Sequence, residues 1–235
     1  MTGRLQVTYI HHSSFLVETA SHTMLFDYFR GDLPPVRREK PLWIFASHAH
    51  SDHYVPGIFR LSGLADEVHY VLSDDIPFSD VPETLREQTA FLGAGYTAEG
   101  DGIRIRTFDS TDQGVAFLVE SGGQVVYHAG DLNDWYWDGD EEDRANSRKY
   151  LAELTKIRNT GLRVDCAFVP LDPRLGADEY RGMKEFMENV GARHVFPMHF
   201  WGDYTVADRL KTSTASDGWR DKLIVLHREG ERFLL

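Results

Sequence analysis

Six consecutive residues, His48-Ala49-His50-Ser51-Asp52-His53, carry the densest chemistry in this chain. In an extended segment His48 and His50 project to the same side, so two imidazoles can hold one metal ion. If the chain then turns into a helix, Asp52 and His53 are presented toward a neighbouring position. Imidazoles suit zinc, and a carboxylate adds a hard oxygen ligand. With 11 histidines in 235 residues, a His-x-His-x-Asp-His string arises by chance on the order of 10⁻³ times per sequence of this composition. The competing reading is a histidine-rich surface loop.

The surrounding elements must hold this hexapeptide. Residues 42–47 form a short apolar run that predicts a buried strand leading into it, and 54–64 predict a helix after it. Upstream, Leu5, Val7 and Tyr9 alternate with Gln6 and Thr8, and the strand pattern continues over 15–19 and 23–27 with a turn near 20–22. Gly31, Pro34, Pro35 and Pro41 make 29–41 a loop. Strands resume at 67–73, 103–109, 114–120 and 124–128, the last two joined by a Ser121-Gly122-Gly123 turn. Residues 75–100 are ambiguous, with a helix predicted near 82–92. The second half alternates. A helix over 140–160 carries Leu151, Leu154 and Ile157 at helical spacing and stops at Gly161. A strand at 164–171 follows, then a helix at 178–190 with Tyr180, Met183, Met187 and Val190 on one face. A strand at 194–198, a short helix at 206–212 and a final strand or two from 222 complete the chain. Strands first and helices later predict mixed sheets covered by helices.

Composition narrows the function classes. Hydrophobic residues are 42% and charged residues 26%, which excludes disordered and low-complexity chains. The apolar runs stop at five residues, where a membrane span needs roughly 20, and Met1–Val7 lacks the apolar stretch of a signal peptide. The net charge is −12 with no Lys/Arg cluster, so neither a membrane nor nucleic acid is an expected partner. The single cysteine, Cys166, forbids an internal disulfide, which fits a reducing, cytoplasmic setting. A small-molecule substrate is expected, and the oligomeric state is not readable.

The hexapeptide resembles the signature of the metallo-β-lactamase superfamily, and the resemblance extends over nearly the whole chain, implying one domain over 1–235. Asp27 ends an early strand as that family's first aspartate does. Tyr127-His128-Ala129-Gly130-Asp131 is similar to its strand-then-Gly-Asp element, and Pro197-Met198-His199-Phe200 to its last motif. His12-Ser13-Ser14-Phe15-Leu16-Val17-Glu18 is similar to the branch of sugar-phosphate lactonases and phospholipid-cleaving phosphodiesterases. The resemblance implies an αββα sandwich with two mixed sheets face to face, helices outside and a site at one edge of the sheets. It implies two divalent ions, zinc first, with manganese or iron as alternatives. His48, His50 and Asp112 would hold one ion, Asp52, His53 and His199 the other, and Asp131 would bridge them. Asp112 stands where the family usually supplies a histidine; as a carboxylate it shifts preference toward harder ions, and as a plain loop residue it would favour a turn. It also brings the formal charge of two ions, Asp52, Asp131 and a hydroxide from about +1 to about 0, favouring neutral esters, lactones or amides over phosphodiesters. The implied chemistry is hydrolysis of an ester, lactone, amide or phosphodiester by a hydroxide whose pKa the ions lower. Asp52 would orient it or return a proton to the leaving group. An iron-dependent oxidoreductase, and a non-enzymatic module whose first site Asp112 disables, are the rivals; the diiron branches usually carry glutamate where this chain has His50.

Other residues divide between site and scaffold. Asp27 is expected behind the ligands, holding a histidine by its ring N–H. His12 and His128 could shuttle protons or be satisfied core histidines. Trp135, Trp137 and Trp201 could wall a pocket or fill a satellite core. Arg174 could clamp an anion or make a surface salt bridge. The acidic run 138–143 is expected to favour a helix N-terminus. Neither a lysine-bearing phosphate loop nor a Gly-x-Ser-x-Gly elbow occurs.

Overall fold

The computed structural model describes residues 4–235. Strands β1 (Gln6–His11), β2 (Ser14–Glu18), β3 (Thr23–Phe26), β4 (Leu42–Ala46), β5 (Val68–Ser73) and β6 (Thr89–Leu92) come first. Then come β7 (Thr97–Gly100), β8 (Ile103–Asp109), β9 (Val115–Ser121), β10 (Gln124–His128) and helix α1 (Glu141–Asn159). The chain closes with β11 (Val164–Pro170), α2 (Arg181–Asn189), β12 (Ala192–Met198), α3 (Thr205–Thr212) and β13 (Arg232–Leu234). They form a seven-stranded sheet, β13-β1-β2-β3-β4-β5-β6, and a six-stranded sheet, β12-β11-β10-β9-β8-β7. Both sheets are mixed. β3 to β6 run parallel beside antiparallel β1 and β2, and β10 to β12 run parallel beside antiparallel β7 to β9.

β4 shows how sequence becomes layering. All five of its side chains are buried, because an interior parallel strand is covered on both faces. The twofold side-chain alternation then sorts them. Trp43 and Phe45 enter the core between the sheets with Met24, Phe26 and Phe117, while Leu42, Ile44 and Ala46 enter a second cluster on the outer face with Ile58 and Tyr70. The four layers of the αββα sandwich are present. The outer layer over the seven-stranded sheet is a 3₁₀ segment, Pro56–Gly63, in place of the expected helix over 54–64; Pro56, Gly57 and Gly63 are poor helix residues. The helix expected near 82–92 is likewise a 3₁₀ turn, Glu83–Gln88, that runs straight into β6. β7 was hidden in the ambiguous stretch, since its short edge segment is largely exposed and carries no buried alternation.

α1 starts at Asp140, whose side chain accepts from Asp143 N at 2.9 Å, with acids in its first turn and Lys156 and Arg158 in its last, the arrangement the helix dipole favours. Asp143 accepts the backbone N–H groups of Trp137, Asp138 and Gly139, so the acidic run builds the helix start. Tyr150, Leu154 and Ile157 face the six-stranded sheet, whereas Leu151, expected on that face, is exposed.

α2 carries a pH-sensitive contact. Burial first, and the carboxylate of Asp134 next, push the Glu185 carboxyl up to about 7. A folded-state pKa above the unfolded value means the folded state holds the proton more tightly. The stabilising contribution is therefore complete below about pH 4.5 and is lost as pH rises through 7. Glu185→Gln should raise the melting temperature at pH 8 relative to wild type and leave the two proteins within a degree or two at pH 5. Equal differences at both pH values would refute it.

Candidate metal centre

The hexapeptide leaves the end of β4 and folds back on itself: His53 N and Tyr54 N both donate to His50 O, at 3.0 and 2.8 Å. His48, His50 and His53 therefore crowd together, with ring centroids of 4.7 Å for His48–His50 and 4.2 Å for His48–His53. Asp131, three residues beyond β10, enters from the six-stranded sheet. Its Oδ2 lies 3.4 Å from His48 Nε2 and its Oδ1 3.2 Å from His53 Nε2 and 3.6 Å from His199 Nε2. His199 follows β12, and Asp52 Oδ2 lies 3.9 Å from its Nε2. Asp112 sits in the loop between β8 and β9, its Oδ2 4.0 Å from His50 Nδ1.

Three sets of donor atoms converge, each within 4.8 Å: His48, His53 and Asp131; His50, Asp112 and Asp131; and His12, Asp52, His53 and His199. Asp131 and His53 each belong to two of them, but only Asp131 has two ligand oxygens to divide between neighbours. The structure thus brings together all seven residues expected as ligands, and adds His12. His50 and Asp112 are on the open side, with side chains 41% and 47% exposed, while His48 and His53 are fully buried. The decisive chemical feature is what these atoms lack. His48 Nε2, His53 Nε2, His12 Nε2 and Asp131 Oδ1 are buried with no hydrogen-bond partner. Buried polar atoms are normally paired, and four orphans distributed over two adjoining donor sets fit bound cations.

The far sides of the rings are tightly held. Asp27 is fully buried and accepts from His53 Nδ1 at 2.7 Å, from Ser47 N at 2.7 Å and from Ser47 Oγ at 2.7 Å. Burial opposes its charge, but the imidazoles of His128 and His53 outweigh that and hold it down at about 2. Burial likewise opposes a charge on His53, yet Asp131 and Asp27 lift it to about 9. A proton on His53 Nε2 and a cation are interchangeable partners for the same carboxylates.

Residues 6–136 match the sequence profile of the "Beta-lactamase superfamily domain". The chain belongs to the β-lactamase superfamily. A "UPF0173 metal-dependent hydrolase" of Methanocorpusculum labreanum is 27% identical over 217 residues, covering 83% of each chain. Among solved structures, Igni18, a "novel metallo hydrolase" of Ignicoccus hospitalis, superposes with a TM-score of 0.69 at 18% identity, covering 99% of this chain and 98% of that one. CmlA, a diiron β-hydroxylase of Streptomyces venezuelae, superposes with a TM-score of 0.64 at 13% identity over 99% of this chain and 54% of that one. These two likenesses concern the fold.

Of the two readings of His128, proton shuttle or satisfied core histidine, the structure favours the second. His128 is fully buried, its Nε2 pairs with Ser13 O at 2.9 Å, its Nδ1 accepts from Gly130 N at 3.1 Å, and its ring stacks on Phe26 at 5.0 Å. Both nitrogens are committed to backbone, and the ring does not line the cleft. Asp172 is the residue that sequence reasoning passed over. It is fully buried, accepts from His199 Nδ1 at 3.0 Å, and so does for His199 what Asp27 does for His53. Its signal was its place one residue past 164–171, beside the strand that delivers His199. Trp135, Trp137, Trp201 and Arg174 line a cleft of about 850 Å³ above the ligand cluster.

Two glycines fix how the sheets meet here. Gly114 has φ +69°, and a Cβ on it would stand 1.9 Å from Ser47 O; a Cβ on Gly130, at φ +53°, would stand 2.7 Å from Ser47 Cβ. Val115 N donates to that same Ser47 O at 2.9 Å. The loops bearing Asp112 and Asp131 are thereby pressed against the residue preceding His48.

Proposed function

We propose that this chain is a metal-dependent hydrolase that binds two divalent ions, zinc most readily, and cleaves an ester, lactone, amide or phosphodiester bond of a small molecule. The observation that carries the reading is the set of orphaned buried atoms, His48 Nε2, His53 Nε2 and Asp131 Oδ1, at the centre of seven convergent ligands. His48, His50 and Asp112 would hold one ion, and Asp52, His53 and His199 the other. Asp131 suits the shared position because its two oxygens face the two groups. When bound, the ions supply Lewis acidity and a nucleophile at neutral pH.

The chain's own residues do the rest. Asp27 and Asp172 fix the tautomers of His53 and His199 by accepting hydrogen bonds from their Nδ1–H groups, leaving the Nε2 lone pair to face the ion. Asp52 Oδ2 lies 3.4 Å from His12 Nε2. Burial holds His12 down at about 4, so its ring is neutral at pH 7 and its Nε2 is free to act as a lone-pair donor or to accept a hydrogen bond. The carboxylate at position 112, which lowers the charge of the loaded site, supports esters, lactones or amides, whose scissile groups are neutral, ahead of phosphodiesters. The free, buried Cys166 suits a cytoplasmic setting, and among the described residues no helix is long and apolar enough to cross a membrane.

Elemental analysis and an ester, lactone and phosphodiester panel test the reading. Two ions per chain and turnover that disappears on chelation are expected. Asp112→Ala should bring the content from two ions to one, because its ion keeps only two imidazoles and a shared carboxylate. One ion in wild type with an inert panel would remove the hydrolase assignment, and dominant iron with a visible absorption band would replace it with oxidative chemistry.

A further inference from the structure

We infer that Arg174, Trp137 and Trp201 form a subsite for a planar, singly charged carboxylate next to His199. The inference rests on the hydrolase reading and names the substrate class for the same site. Arg174 and Lys149 are the arginine and lysine side chains lining the cleft among the described residues. Lys149 is paired to Asp109 at 3.2 Å. Arg174 gives Nε to both oxygens of Asp172, at 2.9 and 3.0 Å, and Nη2 to Oδ2 at 2.5 Å. Its Nη1 has no protein acceptor among the described residues, and the side chain is 47% exposed. A guanidinium carries two hydrogen-bonding edges, and one is used to lock it in place.

The flanking rings make this edge a slot. The guanidinium carbon lies 4.5 Å from the Trp201 ring centroid and 5.6 Å from that of Trp137. Both indoles are about half exposed, although each would gain from burial. Trp137 stacks parallel on Trp135 at 6.1 Å, and Trp135 stands 5.5 Å from His199. Trp201 is pinned by its Nε1 donating to Asp172 Oδ2 at 3.3 Å. His199 and Trp201 both have left-handed backbones, φ +61° and +53°, a conformation costly for a bulky residue and concentrated at ligand sites. The segment is held under strain with a large ring facing the cleft.

The charge of the ligand follows from the neighbours. Asp172 already neutralises one unit on Arg174, and Asp138, Asp140 and Glu142, none of them placed among the metal ligands, also line the cleft. A dianionic phosphate would be opposed by those carboxylates. A monoanionic carboxylate on a flat group needs one free guanidinium edge and exposed aromatic surface beside it; Nη1 supplies the edge, and the half-exposed Trp137 and Trp201, which the guanidinium already overlies, supply the surface.

Calorimetry on the metal-loaded protein with 4-acetamidobenzoate and its neutral match 4-acetamidobenzamide tests this. Wild type should bind the carboxylate at least about tenfold more tightly, the scale of one charge-assisted hydrogen bond. In Arg174→Gln the ratio should fall to about 1, and in Trp201→Ala it should shrink. If Arg174→Gln binds less metal through Asp172, Arg174→Lys keeps the charge but lacks the second edge, and its ratio should also fall at least about threefold. A preference that survives these variants means the carboxylate sits on the ions, and overturns the subsite, as does no preference in wild type. Turnover of 4-acetoxybenzoate and 4-acetoxybenzamide separates the two levels. Preferential binding with neither ester cleaved leaves the subsite standing and removes the hydrolase reading. Cleavage without preference removes the subsite alone.

Discussion

Asp131→Ala should lower hydrolytic turnover by at least about a thousandfold and reduce bound metal to one ion or fewer per chain. The expectation comes from a position no other side chain can fill. Asp131 Oδ1 and Oδ2 face His53, His199 and His48 at 3.2, 3.6 and 3.4 Å, so its loss takes an oxygen from both donor groups at once. The fold should survive, because the residue's side chain makes no bond to the scaffold, and removing it relieves a buried carboxylate of its desolvation. Circular dichroism and metal content measured together check this. A folded variant that keeps two ions and more than a tenth of its activity would refute the shared role.

Asp27→Ala should be damaging in a different way. Its carboxylate accepts three hydrogen bonds in a fully buried position. Deleting it strands Ser47 N and the His53 ring without an acceptor, which should cost about 3–5 kcal/mol. Metal affinity should fall roughly tenfold to a hundredfold, as is usual when the group orienting a ligand histidine is removed. The pH dependence has a defined sign. Asp27 titrates at about 2 in the folded protein, below an ordinary carboxyl, so its stabilisation is complete above about pH 4 and is lost as pH falls toward 2. Urea melts of metal-free protein should show wild type losing its advantage over the variant across that acid window. A constant gap would mean that Asp27 acts by packing alone.

The hexapeptide was legible because its spacing is local: six neighbouring residues carry their own geometry. So was β4, whose apolar run admits little besides a buried strand. Asp112 was harder, since nothing in its own loop marks it, and only its place between two strands did. His128 looked functional because it stands beside Asp131. The ring direction is set by long-range bonds to Ser13 and a stack on Phe26, which no local pattern records. Asp172 failed to stand out for the same reason, as its partner His199 is 27 residues away. The 3₁₀ segments resemble helices in sequence because the apolar spacing of one turn is similar in both, and Pro56, Gly57, Gly63 and Pro82 are what separate them from α-helices.

Gly114 lies flat against the Ser47 carbonyl, with no room for even a methyl group. The separation between Asp112 and His50 is consequently inherited from how the two sheets dock and is already set before any ion arrives. An exchange of this loop between relatives that copies the aspartate but replaces the glycine would push the carboxylate outward as the backbone retreats. The carboxylate at 112 and the glycine two residues later are therefore a single inheritable unit, and engineering of ion preference at this position has to move both together.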